Sequence, residues 1–153
     1  MSVEVGQAAP DFTLKDQAGN DVSLADYKGK QSVVLVFYPF TFTGVCQGEL
    51  CEIRDDPSTF ESADAAVLAI SCDTRHAQAQ WAEQQGFTFP VLSDFWPHGE
   101  VAKAYGVFND ALGCANRATF VIDKDGKVVD TFATDNLGTP REKARYEEAL
   151  AKL

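Results

Sequence analysis

At 153 residues, with 45% hydrophobic and 24% charged side chains, the chain is long enough to bury a full core without disulfide staples and too mixed in composition to be fibrous or disordered. Thirteen basic residues against 23 acidic ones leave a net charge of −10, a field that repels phosphate backbones and anionic membranes, so no nucleic acid and no membrane surface is expected as a partner. The opening "MSVEVGQAAPDFTL" has neither the basic nor the apolar region of a secretory signal, and no apolar run reaches membrane-spanning length; with four cysteines that such a protein keeps reduced, a cytoplasmic location is expected.

One domain spanning residues 1–153 is expected, and its elements follow in chain order. "DFTLKDQAGNDVSL" (11–24) alternates apolar and polar residues around Gly19-Asn20 and reads as a hairpin. "SVVLVFY" (32–38) is a nearly continuous, β-branched run, the pattern of a central strand covered on both faces. From Gly44 the pattern becomes helical, with Leu50 and Ile53 three apart, until Pro57 interrupts it. "AAVLAIS" (65–71) is a second buried strand, and "TRHAQAQWAEQQG" (74–86) a helix closed by a glycine C-cap. A short strand containing Pro90 is expected in 87–94, a short helix in 99–107, and a hairpin of "ATFVID" and "KVVDTFA" around Asp125-Gly126. A last helix, roughly 140 to 152, has Pro140 near its first turn. Hairpin, β-α-β-α-β, hairpin and helix make an α/β sandwich, and this layout suits a thioredoxin-like fold with a longer N-terminal hairpin.

The thiols stand out against that frame. If the helix begins near Gly44, Cys46 lies in its first turn, where unpaired backbone N–H groups and the partial positive charge of the helix end favour a thiolate. Thr43 can cap the helix or donate its hydroxyl toward the sulfur or a substrate. Pro39 ends the strand without an N–H and can keep water off one side of the thiol. Glu49, three positions after Cys46, can orient a cation on the same face. Each of these residues has an ordinary structural use as well: a cap, a turn, a solvated acid.

The spacing Pro39-x3-Thr43-x2-Cys46 resembles the signature of the peroxiredoxins, thiol peroxidases with a thioredoxin-like fold. "GQAAPDFTLKDQAG", "SDFWPHGEVAKAYGVF" (93–108) and "NRATFVIDKDGKV" (116–128) also resemble peroxiredoxin segments, in the family's order, so the resemblance covers nearly the whole chain. The "SDFWPHG" stretch is most similar to the alkyl hydroperoxide reductase E group, near the bacterioferritin-comigratory or Q type. The resemblance implies that Cys46 attacks the O–O bond of hydrogen peroxide, an alkyl hydroperoxide or peroxynitrite and becomes a sulfenic acid, with Arg117 matching the family's arginine at the thiolate. It implies no cofactor and no metal, a homodimer, and an external thiol reductant of the mycoredoxin–mycothiol, thioredoxin or glutaredoxin type.

How the sulfenic acid is reduced stays open at this level. Cys51 gives the C-x4-C spacing of the Q type's resolving cysteine, whereas the other group often lacks a cysteine there; its alternative is packing beside Leu50 and Ile53. Cys114, three residues before Arg117, is a second candidate, and Cys72 reads as a buried strand-end thiol. His76 and His98 complete neither a zinc site nor a cysteine–histidine dyad by spacing. Phe95 and Trp96, in a Pro-Gly loop, suit either core or a dimer contact. The rival function is a thioredoxin-like disulfide reductase or thiol redox regulator, but that chemistry expects C-x-x-C, which is absent.

Overall fold

The computed structural model describes residues 3–153. Strands β1 (Thr13–Lys15) and β2 (Asp21–Ser23) form the N-terminal hairpin, with Gly19 at φ +85 in its turn and the Asp16 carboxylate accepting the N–H groups of Ala18 and Asn20. Then come β3 (Ser32–Phe37), α1 (Gly44–Asp55), α2 (Pro57–Ser62), β4 (Ala65–Ser71), α3 (Arg75–Gln85), β5 (Val91–Ser93) and α4 (Glu100–Ala104). A two-residue ribbon follows, β6 (Phe108–Asn109) against β7 (Cys114–Ala115), and then β8 (Ala118–Ile122), β9 (Val128–Ala133) and α5 (Lys143–Leu150).

The main sheet has the order β2-β1-β5-β4-β3-β8-β9. β3, β4 and β5 run parallel, and β8 is antiparallel to β3 with Phe37 opposite Ala118. Strict alternation divides β3 between two cores. Val33, Leu35 and Phe37 face α4, Phe12 and Tyr105, whereas Val34, Val36 and Tyr38 face α1, α2, α3 and α5. Every residue of β3 is buried, which is why its sequence is apolar without a break. Thr74 caps α3 by accepting the Ala77 N–H, and Gly86, at φ +70, closes it in the left-handed conformation expected of a glycine C-cap.

Three expectations shift. Pro90 lies just before β5 rather than in it: with no N–H to offer, it contributes only its carbonyl, which accepts from Ala69. The last helix starts at Lys143, because the Arg141 N–H is drawn 2.6 Å from Glu49 Oε2 and residues 140–142 are spent on that contact; Pro140 therefore stands outside the helix. Pro57 does end α1, but as the first residue of a further short helix.

The topology gathers one end of the sheet. The loops leaving β3, β4 and β5 emerge there because those strands are parallel, and the antiparallel β8 begins there. β9 ends there too, with Ala133 opposite Ala118. Cys46, Asp73, Arg117 and the segment approaching Arg141 thus converge from distant parts of the chain.

Candidate active site

The turn from β3 into α1 is tied at several points. Tyr38 is fully buried and its N–H donates to Ile70 O, and Pro39 is buried beside it. The Thr41 N–H donates to Asp73 Oδ2 at 2.8 Å, and the Thr41 and Tyr38 hydroxyls are 2.9 Å apart. Phe42 sits at φ +68, a left-handed conformation that costs a bulky residue about 1–3 kcal/mol. Thr43 occupies the N-cap position but does not cap: its hydroxyl donates to Phe40 O at 2.6 Å. The hydroxyl proton is thereby committed, and only the lone pairs of Thr43 remain to face a substrate. The N–H groups of Gly44, Val45 and Cys46 make no hydrogen bond to another described residue, since the first α-helical bond is that of Gln47 to Thr43 O. Cys46 is in the first turn, as the spacing predicts, and is 1% exposed.

One turn on, Glu49 is buried and holds two guanidinium groups. Arg117 Nη1 donates to Oε1 at 2.7 Å, while Arg141 donates from Nη2 to Oε1 and from Nε to Oε2, both at 2.9 Å. Burial pushes the Glu49 carboxyl up, but the hydrogen bonds and charge of Arg141, with the charge of Arg117, outweigh it and hold it below its usual value. Two cations against one carboxylate leave a net positive charge beside the first turns of α1. Arg117 is further fixed by Nε donating to Leu137 O at 2.7 Å; its Nη2 makes no bond to another described residue. Arg141 also donates from Nη1 to Phe37 O and Ala118 O, stitching β3 to β8 directly below the site. Its charge is favoured, against the desolvation of burial, by Tyr146, Glu49 and Cys46.

Sequence reasoning missed Arg141. The sequence pattern makes it one more residue of the last helix, and no local pattern marks a residue whose carboxylate partner is 92 positions away.

All four cysteines are free. Cys51 is half-buried, its thiol donating to Gln85 Oε1 at 3.7 Å. α1 is continuous between Cys46 and Cys51, so the two are separated by a rise of about 7.5 Å. Burial pushes the buried Cys114 thiol up, with Cys46 and Asp73 adding and Arg117 opposing. Burial, then Asp94, pushes Cys72 up to about 12. His98 is hydrogen-bonded to two carbonyl oxygens, of Phe95 and Gly113, and His76 is exposed. Phe95, Trp96 and Leu112 are exposed on the loops that His98 joins, and Phe40 and Phe42 are exposed beside Cys46.

Residues 5–131 match the model of the AhpC/TSA family. The chain is 50% identical over 151 residues to alkyl hydroperoxide reductase E of Mycobacterium tuberculosis, covering 99% of this chain and 98% of that one. It is 36% identical over 135 residues to peroxiredoxin Bcp of Bacillus subtilis, covering 84% of each. Among solved structures, peroxidoxin BcpB of M. tuberculosis superposes with a TM-score of 0.86 at 36% identity, covering 98% of this chain and 96% of that one. AhpC of Enterococcus faecalis superposes at 0.87 with 26% identity, covering 99% and 92%.

Proposed function

Because this chain belongs to the AhpC/TSA family of peroxiredoxins, with their thioredoxin-like fold, and is a thiol-dependent peroxidase, we propose that Cys46 is the thiol that reacts with peroxide. The observation that carries the assignment is a thiol in the first turn of α1, beside three N–H groups with no acceptor among the described residues and two buried arginines held by Glu49. The Cys46 thiolate attacks one peroxide oxygen, the O–O bond breaks, and sulfur is oxidised to Cys46–SOH while the other oxygen leaves as RO⁻ and takes a proton to become ROH. Charge grows on that leaving oxygen. Arg117 Nη2 and the N–H groups of Gly44 to Cys46 are the donors that stabilise it, already in place before the reaction. Buried Pro39 keeps water off one side of the thiol, Glu49 fixes Arg117, and Thr43 offers its lone pairs to the peroxide proton.

Two routes lead back to the thiol. In one, Cys51 condenses with the sulfenic acid to a disulfide and water, which requires α1 to open; in the other, an external thiol of the mycoredoxin–mycothiol, thioredoxin or glutaredoxin type does so directly. A second external thiol then releases Cys46 from that mixed disulfide, whereas the Cys46–Cys51 disulfide takes two equivalents of external thiol, which leave joined as their own disulfide. The whole chain works as one unit, as a homodimer paired through the exposed Phe95–Trp96 face, in the cytoplasm. No helix among the described residues is long and apolar enough to cross a membrane. Reduced protein should consume hydrogen peroxide or an alkyl hydroperoxide, and Cys46→Ser should abolish this while Cys72→Ser leaves it intact. Retained turnover in Cys46→Ser sinks the assignment.

A further inference from the structure

The loop that delivers Cys46 is held in a form its own sequence does not favour, and the hold comes from outside it. Phe42 adopts φ +68, and nothing within residues 40–43 but the Thr43–Phe40 bond opposes its relaxation. One residue earlier, Thr41 is fixed twice: its N–H by Asp73 Oδ2 at 2.8 Å and its hydroxyl by Tyr38 at 2.9 Å. Asp73, in the turn after β4, is itself braced from three elements. Its Oδ2 accepts the Ser71 hydroxyl at 2.7 Å, Ser71 Oγ accepts the amide of buried Gln78 of α3 at 2.9 Å, and the Ser93 hydroxyl of β5 donates to the Asp73 carbonyl at 2.6 Å.

We propose that Asp73 is a positioning residue for peroxide reduction, holding the Phe40–Thr43 loop through the Thr41 N–H in the strained form that aims the free N–H groups of Gly44 to Cys46 at a peroxide on Cys46. The proposal rests on Cys46 being the reacting thiol. It acts on the aim of those donors at the peroxide oxygens, while the charge of the α1 end that favours the thiolate stays in place, so two electrophiles separate it from a general structural role. Hydrogen peroxide needs those donors in register; monobromobimane needs only a reachable thiolate.

With full-length reduced protein, Asp73→Ala should slow the reaction of Cys46 with hydrogen peroxide about 10- to 100-fold, while alkylation by monobromobimane changes less than about threefold. Asp73→Asn, whose amide oxygen still accepts from Thr41 and Ser71, should recover most of the peroxide rate. Should Asp73→Ala not fold, Asp73→Glu, which keeps the charge but displaces the acceptor, takes its place with the same expected split. An unchanged peroxide rate, an equal fall in both rates, or an Asn variant as slow as the Ala variant overturns the proposal. Cys46→Ser run in parallel keeps the two claims apart: peroxide consumption surviving there is a failure of the Cys46 assignment, not of Asp73.

Discussion

Arg117 and Arg141 share one carboxylate but are asked for different things, and substitution should separate them. Arg117 Nη2 makes no bond to another described residue and, in the proposed reaction, faces the peroxide, so Arg117→Ala should slow Cys46 oxidation about 100- to 1,000-fold. Glu49 keeps Arg141 in that variant, and the fold should survive. Stopped-flow oxidation with a matched denaturation curve checks both, and an unchanged rate would show that Arg117 does not reach the reaction. Arg141 has every guanidinium nitrogen engaged, by Glu49, Phe37 O, Ala118 O and Thr119. Arg141→Ala removes the guanidinium donors from Phe37 O, Ala118 O and Thr119 Oγ1 and leaves the buried Glu49 with Arg117 and the residue-141 backbone N–H alone, and should cost about 3–5 kcal/mol in urea unfolding. At this scale half of the candidate site is legible in the sequence. Cys46, Pro39, Thr43 and Glu49 stand within eleven consecutive residues and Arg117 carries a family match, whereas Arg141 and Asp73 matter only through contacts that the folded sheet creates.

Among the elements, α1 and α5 are the two whose attachment can be tested. α1 is fastened to α3 along its length, by Trp81 Nε1 on Gln47 at its start and by Cys51 and Arg54 on Gln85 at its end. A disulfide needs Cα atoms within about 6.8 Å, which five residues of intact helix do not allow. If Cys51 resolves the sulfenic acid, peroxide should raise amide exchange across residues 44–54; if Cys51→Ser cycles normally with an external thiol and exchange is unchanged, the enzyme uses one cysteine. α5 hangs on Asp130 of β9, which receives Arg145 at 2.6 and 2.8 Å and Lys152 at 3.1 Å. The Arg145 hydrogen bonds, joined by Lys152 against the desolvation of burial, hold the Asp130 carboxyl down at about 2. A folded value below the unfolded one of about 3.9 means that the stabilisation is complete above about pH 4 and is lost as pH falls toward about 2. Asp130→Asn should therefore lose about 1–2 kcal/mol at pH 7 and differ little from the parent at pH 2 in thermal melts. Elements with signals inside a few residues were legible, such as the glycine-capped α3 and the Asp125-Gly126 hairpin. The two-residue strands β6 and β7 are too short to show any period, and the start of α5 is set by the pull of Glu49 on Arg141 rather than by the helix's own sequence.

For the whole molecule, the β-α-β order fixed the architecture because parallel strands and right-handed crossovers leave few alternatives, and β3 between β4 and β8 carries both cores. The sheet end where the site assembles also carries the exposed aromatic face, with Trp96 81% exposed. An indole that accessible is suited to burial against a second copy. Trp96→Glu should therefore shift the protein from dimer to monomer in sedimentation velocity with its melting temperature little changed; a monomeric parent contradicts the pairing. The central claim, that Cys46 alone meets the peroxide, is tested most directly by intact-protein mass after one equivalent of hydrogen peroxide, on the parent and on each cysteine-to-serine variant. The parent and the Cys72→Ser and Cys114→Ser variants should each gain one oxygen or lose two hydrogens to a disulfide, and Cys46→Ser should keep its reduced mass. Oxidation of Cys46→Ser at the parent's rate would contradict it.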